Sequence, residues 1–327
     1  MVDLNKQINT NYMKNNYFKN KKILVTGGAG FLGSKVVATL IKSGADKKNI
    51  FVPRSNKQDL RDPKECMRAV KNKDIVIHCA ATVGGIEFNK KHPATIFFNN
   101  MAMGLHLMDE SCKAGVKKFV MIGTVCEYPK VTAVPFKEED LWLGYPEESN
   151  GAYGMSKKAI LVQGQAYKEE YGLNVIHLLL ENLYGPGDNF NPISSHVIPA
   201  LIRKVEIAKE KKEPIVVWGS GKATREFLYA DDAAEAIVLA TQRYNQPNPV
   251  NIGSGQEISI KKLVTLICQK MDYKGQIIWD KEKPDGQLRR AIDITKAKNE
   301  FGFNAKTDFK TGLTKTIHWY LKNKDTI

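Results

Sequence analysis

A glycine-rich turn between a strand and a helix constrains the fold of this chain more than any other feature. A short β-branched run at 22–26 is followed by Gly-Gly-Ala-Gly-Phe-Leu-Gly at 27–33 and by a helical pattern at 34–43. Strand, glycine turn and helix in this order are the context that a dinucleotide-binding turn requires, with the pyrophosphate at the helix N-terminus. Glycines allow the tight turn, let the backbone approach the phosphates and let the helix pack on the strand. The predicted cofactor contacts in this turn are Gly27, Gly30, Phe31, Leu32 and Gly33.

The rest of the first half alternates apolar strands with helices, which predicts a parallel, doubly wound α/β sheet of the Rossmann type with helices on both faces. Beyond residue 185 the alternation loosens, and this indicates a second, smaller α/β lobe for the substrate. We expect a polar tail at 1–20, a dinucleotide-binding lobe at 21–185 and a mainly substrate-binding lobe at 186–327, with residues near 226–245 packing back onto the first lobe. The later strands of the first lobe are predicted at 50–53, 74–79, 118–122 and 174–180, and its long helices at 96–114 and 156–171.

The residues after the second and third strands indicate which dinucleotide binds. An enzyme that selects NAD usually places Asp or Glu after the second strand, where it binds the ribose hydroxyls. Arg54 stands there instead and suits the 2′-phosphate of NADP, so NADP(H) is favoured over NAD(H), although Arg54 is also compatible with a solvated surface position. Asp59 and Leu60 follow at a distance that suits the adenine. Small residues after the third strand would let the backbone lie against the cofactor, although a tight strand-to-loop exit has the same pattern; they are Ala80, Ala81 and Thr82.

Tyr153 and Lys157 are the candidate reductase pair. They are four residues apart at the start of a predicted helix, so their side chains lie on one face. An ammonium beside a phenol stabilises the phenolate, and we expect it to lower the pKa of Tyr153 from about 10 toward working pH. Thr124, at the end of the fourth strand, would hold the same substrate oxygen with its hydroxyl. The spacing alone is weak evidence, because Tyr17 and Lys21 share it without an evident role.

Composition and charge exclude several classes of protein. The 327 residues, 43% hydrophobic and 26% charged, suit two lobes rather than one core, and the sequence has no apolar run long enough for a membrane span. The first 22 residues lack the apolar segment of a signal peptide, so we expect a cytoplasmic protein. The net charge of +14 comes without a nucleic-acid-binding motif, and a positive field also suits a diphosphate-bearing substrate. The five cysteines show no metal-binding spacing, so we expect free thiols and no metal.

Four stretches together resemble the extended short-chain dehydrogenase/reductase family. They are the glycine turn, the segment 153–157, Asn-Leu-Tyr-Gly-Pro at 182–186 and Arg-Glu-Phe-Leu-Tyr-Ala-Asp-Asp at 225–232, and the resemblance extends over 22–322. Within that family the chain is most similar to the branch whose members both epimerise and reduce GDP-4-keto-6-deoxy-D-mannose. The stretches specific to that branch lie at 123–130, 188–190, 194–201, 216–221 and 283–286.

The resemblance implies roles for residues that spacing leaves unassigned. Cys126 and His196 match the positions of the base and acid in the epimerisations, and a thiol and an imidazole have pKa values that can be tuned toward neutrality. Taken alone, Cys126 would more often be a packing residue and His196 a helix cap or surface residue. Val125 and Glu181 depart from the residues that the family usually has. The implied substrate contacts are Val83, Asn182, His196, Val197, Lys204, Trp218, Arg225 and Lys283, and Asn182 is also expected to contact the cofactor.

The resemblance also implies a reaction and an assembly. The reaction is 3,5-epimerisation and NADPH-dependent 4-keto reduction of the GDP-sugar, in a homodimer that packs helices 96–114 and 156–171 into a four-helix bundle. A 4,6-dehydratase would carry an acidic pair after Thr124, where Val125 and Cys126 stand. A 3,5- or 4-epimerase with tightly bound NAD and no net redox change is the alternative, and NADPH consumption separates the two. A non-catalytic nucleotide-sensing protein of the same fold is disfavoured by the tyrosine–lysine pair.

Overall fold

A computed structural model describes residues 16–283 and 285–327. The first fifteen residues of the predicted tail, and Pro284 in the 283–286 stretch, lie outside the described residues. The strands are β1 (Ile23–Thr26), β2 (Ile50–Phe51), β3 (Ile75–His78), β4 (Lys118–Thr124), β5 (Val175–Leu180), β6 (Asn182–Tyr184), β7 (Ile215–Trp218), β8 (Thr224–Tyr229), β9 (Val250–Ile252), β10 (Glu257–Ser259), β11 (Ile277–Asp280) and β12 (Arg289–Arg290). The helices are α1 (Phe31–Lys42), α2 (Pro63–Val70), α3 (Ile86–Lys91), α4 (Pro93–Lys113), α5 (Gly151–Tyr171), α6 (Val197–Lys211), α7 (Ala230–Arg243), α8 (Ile260–Lys270), α9 (Thr295–Phe301) and α10 (Phe309–Asn323).

The main sheet contains six parallel strands in the order β2-β1-β3-β4-β5-β9. Every residue of β1, β3 and β5 is buried, because helices cover both faces of a parallel sheet. The predicted doubly wound α/β fold is therefore confirmed. The carboxyl ends of all six strands lie at one edge of the sheet, which is the edge where ligands bind in folds of this kind.

Two hydrophobic cores, one on each face, fix the sheet between its helices. On one face Val25 packs with Val36 of α1 and Ile237 of α7, so α7 lies against the first lobe. On the other face Phe119 packs with Leu107 of α4 and Ile160 of α5. These apolar side chains recur at helical and strand spacing in the sequence, and their burial is the main stabilising term of the lobe.

The second lobe combines two small sheets with the helices α6, α8 and α10. β8 pairs with β6, β10 and β12, and β7 pairs with β11. A separate core that includes Ile202, Leu263 and Leu313 joins the three helices. The chain leaves the main sheet between β5 and β6, at Glu181, so this residue stands at the junction of the lobes.

Two element boundaries differ from the predictions in ways that matter for the site. α5 begins at Gly151 rather than at 156, so it contains Tyr153 as well as Lys157; glycine and tyrosine are weak helix formers, and this hides the first turn. The end of the predicted tail, which was expected to extend to residue 20, makes contacts with the folded protein. Phe18 is buried, and the Tyr17 hydroxyl donates to the carbonyl of Thr241 at 3.3 Å. Residues 16–18 therefore pack on the first lobe.

Candidate functional site

A cleft of about 700 Å³ opens at the carboxyl edge of the main sheet. Its walls come from the glycine turn, the ends of β2, β3, β4 and β5, the first turn of α5 and the segment before α6. The structure thus brings together predicted residues from widely separated parts of the chain. The predicted residues that line the cleft are Gly27, Gly30, Phe31, Leu32, Gly33, Arg54, Asp59, Leu60, Ala80, Ala81, Thr82, Val83, Thr124, Cys126, Tyr153, Lys157, Asn182 and His196.

The glycine turn leaves no room for side chains between α1 and the strand ends. Gly27 has a φ of +65°, and a Cβ on it would lie 2.8 Å from the backbone nitrogen of Ala80. A Cβ on Gly33 would lie 2.1 Å from the carbonyl oxygen of Gly27. Both approaches require glycine, and they let the N-terminus of α1 line the cleft. This is the shape and the dipole that a pyrophosphate requires.

The rim beyond β2 carries the residues predicted for the adenosine end of the cofactor. Arg54 is exposed there, and no ion pair engages it among the residues that the structure describes. The carboxylate of Asp59 accepts a hydrogen bond from Arg61 Nε at 2.9 Å, and this pairing holds the pKa of Asp59 below its usual range. Leu60 is buried beside it. Arg54 therefore remains available to a phosphate.

Asn100 of α4 fixes the loop after β3, although the sequence analysis assigned it no role. Its Oδ1 accepts from the backbone nitrogen of Thr82 at 3.0 Å, and its Nδ2 donates to the Thr82 carbonyl at 2.8 Å. The Thr26 hydroxyl accepts from the backbone nitrogen of Ala80 at 3.2 Å. The predicted cofactor loop at 80–82 is thereby held by buried side chains. The position of Asn100 inside a largely apolar helix was the sequence signal that could have indicated this support.

The turn after β4 presents Thr124 and Cys126 to the cleft. The Thr124 hydroxyl accepts from the backbone nitrogen of Cys126 at 3.2 Å, and Glu127 accepts from the backbone nitrogen of Thr124 at 2.8 Å. Glu127 also lies 3.0 Å from Nε2 of His177, and both of these side chains are buried. The sequence analysis missed this pair, which fixes the turn from behind while the threonine hydroxyl and the cysteine thiol face the cleft.

Tyr153 and Lys157 reach the same turn from α5. Gly154 permits this approach, since a Cβ there would lie 2.2 Å from the carbonyl oxygen of Cys126. The ammonium of Lys157 donates to the carbonyl of Ile122 at 3.0 Å and lies 5.9 Å from the centre of the Tyr153 ring. Burial lowers the pKa of Lys157 to about 8.

The prediction that Lys157 lowers the pKa of Tyr153 is wrong for this structure. Burial, reinforced by the charges of Cys126 and Glu127, raises the pKa of Tyr153 above its usual value. The effect of desolvation on the pKa of Tyr153 outweighs that of the Lys157 ammonium, which donates its hydrogen bond to the backbone carbonyl of Ile122. Tyr153 is therefore a neutral phenol at pH 7, which is the form that can donate a proton.

His196 precedes the first residue of α6 and lines the same cleft as Cys126. A hydrogen bond from the backbone nitrogen of Gly85 to the carbonyl of Ser194, at 2.9 Å, ties this segment to the loop after β3. The imidazole is open to the solvent in the cleft, yet the surrounding protein atoms lower its pKa by desolvation. His196 is therefore neutral at pH 7 and can accept a proton.

Arg290 lies close to the thiol of Cys126, and the sequence analysis did not identify it. Its Nη1 lies 4.0 Å from the sulfur, while Nε and Nη2 donate to Oε1 of Gln287 at 2.9 and 2.8 Å. It belongs to the two-residue strand β12, which no sequence pattern predicts. It therefore places a guanidinium beside the residue that the family resemblance predicts to be the base.

The remaining predicted substrate contacts do not line the cleft. Lys204 of α6 and Lys283 place their ammonium groups 5.6 and 5.8 Å from the ring centre of Trp218, which is 50% exposed. Arg225 donates from Nη1 to the carbonyl of Gln287 at 2.7 Å, and Val197 packs against the core of the second lobe. We call Lys204, Trp218 and Lys283 the basic patch. It offers two cations and an aromatic face to an anionic ligand with a planar base.

Two further properties of the described residues bear on function. No helix within 16–283 or 285–327 has the length and apolarity needed to cross a bilayer, and the described side chains form no group of three or more His, Cys, Asp or Glu suited to a metal ion. All five cysteines are free thiols.

Comparisons with known proteins agree with this geometry. The model of the NAD dependent epimerase/dehydratase family matches residues 23–253. Probable GDP-L-fucose synthase 1 of Oryza sativa subsp. japonica is 37% identical, over 93% of this chain and 93% of its own length. GDP-L-fucose synthase of Sinorhizobium fredii is 38% identical, over 93% of this chain and 96% of its own length. The crystal structure of a GDP-L-fucose synthetase from Naegleria fowleri bound to NADP superimposes with a TM-score of 0.84 at 29% identity, covering 94% of this chain and 96% of that one. These matches confirm the family resemblance of the motifs, and the chain belongs to the NAD dependent epimerase/dehydratase family.

Proposed function

We propose that the protein is an NADPH-dependent epimerase-reductase that converts GDP-4-keto-6-deoxy-D-mannose to GDP-L-fucose or a closely related GDP-deoxysugar. The observation that carries the proposal is that Cys126 and His196 line one cleft together with Tyr153 and Lys157. Acid–base groups for epimerisation thus share a site with the pair that serves carbonyl reduction. Relatives named GDP-L-fucose synthase, at 37% and 38% identity over nearly their whole length, support this reading.

The residues of the first lobe fit NADP(H). Gly27 and Gly33 let the turn pack closely on its neighbours, so that the N-terminus of α1 lines the cleft where a pyrophosphate would bind. Arg54, which has no ion pair among the described residues, would face the 2′-phosphate. The NADP bound to the Naegleria fowleri relative supports the same assignment. When bound, this cofactor supplies the hydride for the reduction.

Cys126 and His196 would perform the two inversions. In a 4-keto sugar the hydrogens on carbons 3 and 5 are acidified by the neighbouring carbonyl, and inversion needs a base on one face and an acid on the other. The neutral imidazole of His196 can accept a proton, and the Cys126 sulfur, 4.0 Å from the guanidinium of Arg290, would be the second acid–base group. The enolate charge would fall on the carbonyl oxygen, which the hydroxyls of Thr124 and Tyr153 would hold.

Tyr153 would complete the reduction by donating its phenol proton to the carbonyl oxygen. Burial keeps the phenol protonated, and Lys157 stands beside it as an ammonium below pH 8 that stabilises the phenolate left behind. Thr124 would orient the same oxygen, since Glu127 and His177 fix its turn. The basic patch and Arg225 would bind the GDP moiety through charge and ring stacking.

Turnover in deuterated water tests the proposal directly. Purified protein incubated with GDP-4-keto-6-deoxymannose and NADPH should consume one NADPH per product and place deuterium at carbons 3 and 5. Cys126→Ser should block the inversions and give a reduced but non-inverted product, whereas Cys112→Ser, outside the cleft, should behave as wild type. Exchange of label without NADPH consumption would instead support an epimerase with tightly bound NAD. If Cys126→Ser still inverts both centres, the assignment of the base is wrong.

A homodimer is part of the proposal. Exposed apolar side chains lie on the two helices that the family resemblance assigns to a four-helix bundle, with Phe98 on α4 at 63% exposure and Val162 on α5 at 48%. Pairing these faces would bury them. We further expect the protein in the cytoplasm, which cell fractionation would check. Light scattering should give twice the monomer mass, and Phe98→Asp should reduce it; a wild-type monomer would reject the dimer.

A further inference from the structure

Glu181 is a buried carboxyl at the point where the chain passes from one lobe to the other. Leu180 pairs with Thr124 across the parallel strands β5 and β4, so the next residue, Glu181, stands beside the turn that carries Cys126. The residue is 2% exposed and lines the cleft. An acidic residue is rarely buried unless its oxygens are satisfied, so its surroundings require an explanation.

The two oxygens of Glu181 have different surroundings. Oε2 accepts two hydrogen bonds, from the backbone nitrogen of Asn182 at 2.8 Å and from its Nδ2 at 2.6 Å. Oε1 is buried and has no hydrogen-bond partner among the described residues. An unpartnered buried oxygen destabilises the fold unless a ligand satisfies it.

Burial favours the neutral form of Glu181. Burial raises the pKa of Glu181 to about 8, the carboxylate of Glu226 on β8 adds to the rise, and Arg290 on β12 and Arg225 on β8 oppose it. The carboxyl is therefore protonated at pH 7. Because Oε2 already accepts two N–H groups, the proton belongs on Oε1. The result is a hydroxyl donor on a residue that lines the cleft, with no acceptor among the residues that the structure describes.

We propose that Glu181 is a specificity-determining residue whose protonated carboxyl donates a hydrogen bond from Oε1 to an oxygen of a ligand bound in the cleft. The acceptor is a carbonyl or hydroxyl oxygen, supplied by the carboxamide of the nicotinamide or by the hexose. The inference rests on the proposed function for the identity of these two ligands. A ligand without an oxygen at this place would leave the buried donor unpaired and bind more weakly.

Two substitutions distinguish the effect of losing the hydrogen-bond donor from the effect of changing the size of the side chain. Glu181→Met keeps the length and removes the donor, so it should weaken the ligand that supplies the acceptor by roughly tenfold at pH 7. Glu181→Gln keeps an oxygen for Asn182 and an N–H donor toward the cleft, so it should retain wild-type affinity at pH 7. NADPH binding, measured by fluorescence titration, and the KM for GDP-4-keto-6-deoxymannose identify the acceptor, because only one of them should change.

The dependence on pH gives an independent readout. The wild-type donor is present below the pKa of Glu181 and is lost as the pH rises through about 8, so affinity should fall there. Lys157 titrates in the same range, and the comparison of Glu181→Gln with wild type removes its contribution. Glu181→Gln should lack the part of the decline that Glu181 causes. Glu138→Gln is the matched control, since Glu138 is a partly buried carboxyl with a raised pKa that does not line the cleft.

The proposal is overturned if Glu181→Met binds both ligands as wild type does, or if Glu181→Gln shows the full wild-type decline above pH 8. Thermal unfolding of each variant shows whether the chain still folds, and the Gln variant decides the question if the Met variant does not. Failure of the proposed function would look different: the wild type would bind NADPH but leave the sugar unchanged, and the NADPH titrations of the variants would still be interpretable.

Discussion

The cleft and the basic patch are both parts of the candidate site, but they are built differently. Backbone atoms shape the cleft: would-be Cβ atoms at Gly33 and Gly154 meet carbonyl oxygens at 2.1 and 2.2 Å, and Asn100 holds the loop after β3. Long side chains shape the basic patch, where two lysines flank the half-exposed ring of Trp218. The cleft is therefore preorganised, whereas the shape of the patch depends on long, exposed side chains.

This difference separates the energetic roles of the two regions. Lys157 and Glu181 in the cleft are buried, so their charge interactions are strong and their pKa values shift. Charges in the patch face water and are screened by salt. Changes in the cleft should therefore alter the rate or the fold, and changes in the patch should alter substrate affinity by smaller factors.

Tyr153→Phe should have the largest effect. Without the phenol proton, carbonyl reduction should fall by about 10²–10⁴-fold, the usual contribution of a positioned general acid. The ring is kept, so packing and NADPH affinity should change little. Exchange of solvent deuterium at carbons 3 and 5 should continue, because Cys126 and His196 are intact. NADPH oxidation and mass spectrometry of the sugar measure the two steps separately.

Tyr171→Phe is the matched control for that substitution. It removes a hydroxyl from the other end of the same helix, where the side chain is exposed and far from the cleft lining. Its reductase rate should equal that of the wild type. Full reductase activity in Tyr153→Phe would show that another group donates the proton and would remove Tyr153 from the mechanism.

Gly33→Ala should have the next largest effect, and it tests whether backbone contact shapes the cleft. The new Cβ would overlap the Gly27 carbonyl, so α1 must move away from the turn, at a cost of about 1–3 kcal/mol in the free energy of unfolding. At Gly30 a Cβ would meet that carbonyl only at 3.2 Å, so Gly30→Ala should cost less stability while still narrowing the approach to the pyrophosphate. Denaturant unfolding and NADPH titration distinguish the two. Equal stability of both variants would contradict this account of the turn.

The predictable part of the molecule is the part encoded by neighbouring residues. The glycine turn, the strands of the main sheet and the spacing of Tyr153 and Lys157 are all local patterns, and each has a direct counterpart in the structure. Family motifs added Cys126 and His196, which the structure brings into the same cleft although 70 positions separate 126 from 196. Their catalytic roles stay predictions until the kinetic tests are made.

The features of the site that the sequence did not predict depend on contacts between elements that are distant in the chain. Arg290 approaches Cys126 only because the short strand β12 pairs with β8, and Glu127 meets His177 only because β4 pairs with β5. The predicted direction of the Tyr153 pKa shift was wrong for the same reason. The spacing of the residues shows that an ammonium is near, but it does not show how deeply the phenol is buried. Burial and cross-strand partners are tertiary properties that one sequence does not display.

Arg54→Ala tests the exposed rim of the cleft, where the structure predicts an intermediate effect. Loss of the charge-assisted bonds to a 2′-phosphate should weaken NADPH binding by about tenfold and leave NADH binding unchanged. Arg68→Ala is the control, because Arg68 is also exposed but pairs with Glu65 on α2. Titrations with both cofactors provide the measurement. An unchanged preference for NADPH over NADH would remove Arg54 from the cofactor assignment.

Lys204→Gln should have the smallest effect and completes the comparison between the cleft and the patch. Lys204 donates to the carbonyl of Val216 at 3.2 Å as well as facing Trp218, so only part of its interaction is available to a diphosphate. The KM for the GDP-sugar should rise by about two- to fivefold at low salt, with kcat and NADPH affinity unchanged, and the difference should shrink as salt is added. Lys211→Gln, at the exposed end of the same helix, should leave KM unaltered. A loss in kcat instead of KM would mean that the patch takes part in fixing the reacting atoms, and the division between a preorganised cleft and an adaptable patch would fail.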